Sequence, residues 1–372
     1  NKAEVCMKKK LNIFLPVIQA LFLSFIVFLS LNHISCKVSS EGIQVLSGDY
    51  ESPELQSVCV KSDSEIAVNF SEPVKVCGIS LCEATDMQDM TSIEYLSKRP
   101  ASMPLCVVPS SDGKSFVCNL SVPTQIGRKY ILFGQIEDEN GNSLTFTAPV
   151  TGYNSRAAAV VFSEIQDKST VLGGCEFIEL YVLEPGNLAG LVISSANDGE
   201  EFDVSLPPVE VNAKEFVVVH LRNTGDGCIN EIGDELDLST APGSSAGRDI
   251  WINNTENRLG ATQDVILLYD ENAGLVKDAF LYSRSTKIEW TKPVYSISAE
   301  KACENGIWSE GSGFENVFML NGSSVQGIFV RTNLEQLEFM AESGTLDKNC
   351  IPVCKNDWKR ISASYVTPGY AK

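Results

Sequence analysis

The sequence predicts an all-β protein, two tandem β-sandwiches carried behind an N-terminal export segment. Two observations support this class. From Leu55 onward, apolar residues recur in short runs, often alternating with polar ones and separated by Gly, Asn, Asp and Pro turn signals. Between residues 55 and 330 no long run with a period of 3.6 stands out, so the body reads as essentially all-β. The chain of 372 residues corresponds to two or three domains at about 150 residues each. Its 44% hydrophobic and 21% charged residues are those of a globular protein.

The first element is basic and then apolar. Met7 precedes Lys8, Lys9 and Lys10, and a run from Leu11 to Leu31 ends in Ser35-Cys36. A basic start, an apolar stretch and a small residue before the cut define a secretory signal over 1–35, with Met7 the expected start. A cysteine directly after the apolar run resembles the lipobox of bacterial lipoproteins, in which that cysteine becomes the diacylated N-terminus. Ile34 and Ser35 suit the pattern; His33 departs from it in a way that the looser spirochaete signals tolerate. The resemblance implies lipidation at Cys36 and a membrane partner through that anchor. An uncleaved anchor, since the run could span a bilayer, and simple cleavage after Ser40 are the alternatives. Each places the body outside the cytoplasm, in the cell envelope at the outer surface or in the periplasm. Residues 36–52 are polar and read as a tether.

Charge narrows the partners. The formal net charge is −19; removing 1–35 takes away four Lys and one Glu, leaving 25 basic and 47 acidic residues, −22. Such a body repels anionic lipid and lacks the clustered cations of a nucleic-acid site. With only His33 and His220 present, multi-histidine metal or catalytic sites are excluded. Twelve cysteines are present, ten of them beyond Cys36, five on each side of residue 150. In an exported protein these predict disulfides of undetermined pairing. A zinc reading of Cys77/Cys82 with Cys350/Cys354 lacks a finger or ribbon context.

The strands follow in order. Ser57–Val60 and Glu65–Phe70 open the first body, then Ser115–Leu120 and Lys129–Gln135. The run Asp138-Glu139-Asn140-Gly141-Asn142-Ser143 marks a hairpin, with Asn-Gly supplying positive backbone angles, and Leu144–Val150 returns. Asn69–Val74 (NFSEPV) and Glu137–Leu144 (EDENGNSL) resemble the bacterial Ig-like modules of surface proteins, which implies such a domain over 53–152. The stretch Leu81–Pro104 is richer in Cys and Met than that family.

After a polar break at Tyr153–Arg156, strands are expected at Val160–Ile165, Phe177–Val182, Asn187–Ile193, Glu215–Leu221, Asp264–Tyr269 and Gly274–Tyr282. Ser163-Glu164-Ile165, Phe177–Leu180 (FIEL), Asn187–Leu191 (NLAGL), Phe216–Val219 and the late pair Asp264–Asp270 with Gly274–Ala279 closely resemble the lamin-tail domain, an Ig-like β-sandwich. Thr367-Pro368-Gly369 matches the TPG that often closes it. The resemblance implies a lamin-tail core over 156–283. An insertion at 223–257 and a C-terminal extension at 284–372, which the core does not need, depart from the family.

Four patterns are candidates for chemistry. Gly243-Ser244-Ser245-Ala246-Gly247 matches the G-x-S-x-G elbow, but it follows Pro242 in a polar loop and reads as a flexible turn, with His220 capping the sandwich edge. Asp226, Asn230, Glu231, Asp234, Glu235 and Asp237 offer oxygen ligands for Ca²⁺ without EF-hand spacing and read as a solvated loop. Glu164 and Glu179, on neighbouring strands, match the carboxylate pair of a glycosidase but read as structural. Trp290, Trp308, Trp358 and Tyr295 read as packing the extension onto the sandwich, with a recognition surface as the alternative. No cofactor is expected. The sequence therefore points to a non-catalytic protein for adhesion, scaffolding or tethering, with a protein or extracellular-matrix ligand and no nucleic acid. The alternative is an accessory binding subunit or a hydrolase of the envelope.

Overall fold

The structure, a computed structural model, describes residues 36–39, 42–45, 51–84, 102–167, 176–197, 203–271, 274–320, 328–362 and 368–370. The signal expected at 1–35, Cys175 and Thr367 lie outside the described residues. β1 (Cys36–Ser39) and β2 (Gly42–Val45) pair antiparallel with Cys36 opposite Val45, so the stretch expected to be a plain tether carries a hairpin.

The first body is built from β3 (Leu55–Ser62), β4 (Glu65–Phe70), β5 (Lys75–Glu83), β6 (Leu105–Pro109), β7 (Ser115–Leu120), β8 (Lys129–Glu137) and β9 (Ser143–Thr151). They form a four-stranded sheet, β3-β4-β7-β6, and a three-stranded sheet, β5-β8-β9. Alternation sets the inner faces. Ile66, Val68 and Phe70 of β4 meet Phe116 and Cys118 of β7, Leu132 and Ile136 of β8, and Phe146 of β9 in one core. Part of the Cys- and Met-rich stretch joins the sheets, with Leu81 and Cys82 in β5 and Met103 bridged to Leu81.

The β8–β9 hairpin forms as expected, but Asn140 does not share the positive backbone angle expected of Asn-Gly. Only Gly141 takes a positive φ, +87°. Asp138 organises a longer loop, its Oδ1 accepting the Asn140 and Asn142 N–H groups at 2.8 Å each. An aspartate that closes its own turn thus sets this connection.

The second body begins where the predicted break is pinned. Asn154 is buried, and its amide donates to the carbonyls of Asn187 and Ala189 at 2.8 Å. Its strands are β10 (Ala159–Gln166), β11 (Phe177–Glu184), β12 (Gly186–Asn187), β13 (Leu191–Ser195), β14 (Val204–Ser205), β15 (Glu210–Val211), β16 (Phe216–His220), β17 (Arg248–Trp251), β18 (Gln263–Asp270), β19 (Leu275–Arg284), β20 (Phe318–Leu320), β21 (Ile328–Arg331) and β22 (Trp358–Ile361). Six form the sheet β17-β16-β11-β10-β21-β22 and five the sheet β14-β13-β18-β19-β20; β12 and β15 pair separately.

The all-β expectation holds, with two helices added to the strands among the described residues. α1 (Pro293–Glu304) buries Tyr295, Ala299 and Ala302, an i, i+4, i+7 stripe made mostly of alanine and therefore weak as a hydrophobic signal. α2 (Leu334–Glu342) follows β21 and turns Leu337 inward. Strand β10 is buried along its whole length. Val160 and Phe162 face the main core, whereas Ala159 and Val161 face Leu337 and Ile351, so both faces are covered and polar alternation disappears.

The C-terminal extension is integral to this core, contrary to its expected dispensability. β21 pairs with β10, and β20 runs parallel to β19, so the extension adds strands to both sheets. Trp358 and Phe329 pack on Phe280 at 4.3 and 4.9 Å between ring centroids, and Trp308 is buried. A cross-sheet ion pair joins the same region. The Arg331 Nη1 donates to Asp278 Oδ2 at 2.6 Å, and the Phe162 N–H, freed by a bulge in β10, donates to the same oxygen at 2.7 Å.

Candidate functional site

The insertion after β16 gathers most of the polar chemistry. β17, unrecognised in the sequence, lies parallel to β16 with His220 opposite Trp251. His220 thus sits one strand in from the edge instead of capping it. Buried on both sides, its ring stacks on Trp251 at 3.8 Å and 10° between planes.

Ser245, Asp249 and His220 do come together, but in an order that the hydrolase motif does not allow. The Ser245 hydroxyl donates to Asp249 Oδ1 at 2.7 Å, and His220 Nε2 lies 2.8 Å from that same oxygen. A carboxylate beside Nε2 fixes the proton on that nitrogen, leaving Nδ1 as the basic one. Nδ1 is buried and has no hydrogen-bond partner. A general base must instead stand between hydroxyl and carboxylate, with its bare nitrogen facing the hydroxyl. Here the aspartate is the hub. It also receives the Ser245 N–H, and the Ser245 Oγ accepts the Gly247 N–H at 3.1 Å, which closes the Gly/Ser stretch into a tight turn.

The acidic candidates are divided between structure and surface. Glu231 is buried; its Oε1 accepts the N–H groups of Leu238 and Ser239, and its Oε2 accepts that of Asp249 at 2.8 Å. Asn230 Oδ1 accepts the Trp251 N–H. These two side chains cap the outward donors of edge strand β17, which blunts it against pairing with another strand. Asp226, Asp234, Glu235 and Asp237 stay exposed, and among the described residues no three His, Cys, Asp or Glu side chains gather as a ligand set. Arg248, also buried, donates through Nε to Glu215 at 2.6 Å and through Nη1 to the carbonyls of Glu231 and Gly233. Beside this network a cleft of about 390 Å³ is lined by Asn230, Ile250, Trp251, Ile252, Asn254 and Arg258, among others.

Glu164 and Glu179 are cross-strand partners, as neighbouring strands imply, and both are sealed from solvent. Glu179 accepts the Ser163 hydroxyl at 2.6 Å and the Gly369 N–H at 2.6 Å. Burial raises its carboxyl to a pKa of about 7, against the pull of those two hydrogen bonds. Gly369 itself stands at φ +85°, and a Cβ on it would lie 2.1 Å from the Gly247 nitrogen. The closing Pro-Gly therefore latches onto both Glu179 and the Gly/Ser turn, where Ala246 N–H donates to the Pro368 carbonyl.

The remaining candidates resolve simply. Trp308 and Trp358 are core side chains, and Trp290 packs against Tyr295 and Phe314. Cys36 begins β1. The disulfide expectation is not met among the described residues: Cys59, Cys77, Cys106, Cys118, Cys228, Cys303, Cys350 and Cys354 are unpaired thiols. Cys82 and Cys118 serve instead as buried apolar residues, and burial raises the Cys118 thiol to a pKa of about 11. Asp249, Arg248 and Glu215 were not legible as site residues. The signal that could have shown them is Arg248-Asp249-Ile250-Trp251, a short charged and apolar strand following Gly247.

Fold and site together define an all-β protein whose buried polar side chains organise loops and an edge strand. The chain belongs to the family TP_1001_2nd, described as a protein second domain, which matches residues 158–360 and so takes in the C-terminal extension. An uncharacterised protein of Treponema pallidum (strain Nichols) is 23% identical over 243 residues, 60% of this chain. The match spans 61% of that relative's length. Among solved structures, the N-terminal part of the bacterial S-layer protein SbsC is 12% identical, over 62% of this chain and 43% of that one, with a TM-score of 0.24. Domains 1–6 of the same surface-layer protein are 10% identical, over 59% and 39%, also at 0.24. Scores this low carry no structural argument. No helix among the described residues is long and apolar enough to cross a membrane.

Proposed function

We propose that this chain is an exported, lipid-anchored protein of the bacterial envelope whose body binds or scaffolds and does not catalyse. The anchor reading rests on the basic and apolar segment that ends at Cys36, and the envelope on the export that such a segment directs. In this reading an Ig-like module at 53–152 precedes a lamin-tail module at 156–283 that is completed by the extension. Two separate hydrophobic cores, one on each side of the break at 153–156, support that division.

The observation that carries the non-catalytic part is the place of Asp249 between Ser245 and His220. With the carboxylate on the hydroxyl, no imidazole is available to take the serine proton, and the trio is a clamp for the turn that precedes β17. Hydrolysis of short acyl esters by the purified chain is expected at background rate, with Ser245→Ala and His220→Gln unchanged. Turnover that disappears in both variants while the fold is retained would make the protein a hydrolase instead.

A further inference from the structure

The loop held by Arg248 and Glu231 displays what a folded chain ordinarily hides. Ile229, Ile232, Leu236 and Leu238 are 43%, 59%, 36% and 38% exposed within ten residues, while Asp234, Glu235 and Asp237 are exposed between them. Four exposed apolar side chains concentrated on one short loop depart from the singly scattered apolar residues of an ordinary surface. The loop is also fixed from beneath. Arg248 holds the carbonyls of Glu231 and Gly233, and Glu231 holds the N–H groups of Leu238 and Ser239. Two buried charged side chains thus tie both ends of the exposed stretch. A surface ordered in advance loses little freedom when a partner docks, which favours binding. The cleft beside Trp251 opens next to the same loop, since Asn230 lines it.

Charge selects the occupant. The loop carries exposed carboxylates and no Lys or Arg between Ile229 and Leu238, on a chain of net charge −19. A second copy, an anionic lipid surface and a nucleic acid are each repelled. We propose that residues 229–238 form a docking surface for a cationic, apolar segment of a partner protein, with Ile232 and Leu236 providing apolar contact and Asp234, Glu235 and Asp237 pairing with Lys or Arg. This deepens the binding role proposed above, and its test is independent of ester hydrolysis.

The test uses the full chain and a fluorescein-labelled peptide of alternating Lys and Leu, followed by anisotropy, with an alternating Glu and Leu peptide for comparison. The Lys/Leu peptide should bind and the Glu/Leu peptide should not. The exposed double variants Ile232→Ser with Leu236→Ser, and Asp234→Asn with Glu235→Gln, should each weaken binding by about tenfold. Glu300→Gln with Glu304→Gln, neutralising exposed acids on α1, should leave it unchanged. Circular dichroism confirms that each variant is folded. Absence of Lys/Leu binding, equal binding in the loop variants, or an equal loss in the α1 variant would overturn the proposal. Loss of this binding with ester hydrolysis still at background would leave the non-catalytic reading standing.

Discussion

Glu179 shows how a single buried carboxylate ties sequence to stability. Its folded pKa of about 7 lies above the ordinary 4.5 because burial disfavours the charge. The folded state therefore binds more protons than the unfolded one between those values. Its stabilising contribution is complete below pH 4.5 and falls as pH rises through 7. Asp264, wholly buried and raised by burial to about 6, acts in the same direction. From pH 5 to 7.5 the wild type should lose up to about 3 kcal/mol through Glu179, whereas Glu179→Gln should show a shallower slope, retaining the parts of Asp264 and of Asp278, which burial raises as well. Urea unfolding at the two pH values measures this, and equal slopes would contradict it. At this scale the sequence showed which residue types lay near one another but not their wiring. Ser245 and His220 were both visible as candidates. That Asp249 accepts from both depends on a parallel strand that no local pattern announces, so the catalytic order could not be judged before the fold was known.

At the scale of elements, legibility followed strand length and apolar content. The strands at 65–70, 115–120, 129–135, 177–182 and 264–282 lie where alternation or apolar runs place them. α1 escaped notice because alanine at 299 and 302 gives a helix little amphipathic contrast. The short strands β17, β20 and β22 escaped because three or four residues carry too little pattern, and two of the three pair in parallel with distant partners. The insertion read as a solvated loop since its stabilisers are charged. Arg248 with Glu215 and Glu231 makes it a built element. Arg248→Ala leaves the Glu215 carboxylate without its cation and the Glu231 and Gly233 carbonyls without their donor. A loss of about 3–5 kcal/mol is expected, as for other broken buried pairs. Hydrogen exchange should show amides 231–239 losing protection while those of β10 and β11 keep theirs; protection unchanged in the loop would contradict the clamp.

For the whole molecule, export and the thiols pull in different directions. The proposed export segment implies an oxidising compartment, yet eight described cysteines stand unpaired, Cys118 among them inside a core. Among the described residues, stability comes from packing across the two pairs of sheets and from buried polar links such as Asp278–Arg331. The anchor is tested by Cys36→Ser, which should release the chain from membranes and abolish labelling with radioactive palmitate; labelling that persists would refute lipidation at that residue. The central claim, that the serine, aspartate and histidine of the insertion hold structure and perform no chemistry, is tested most directly by the unfolding free energy of Asp249→Ala. Removing the shared acceptor strands the His220 Nε2–H and the Ser245 donors. The variant should be about 2–3 kcal/mol less stable than the wild type, and stability equal to the wild type would contradict the account.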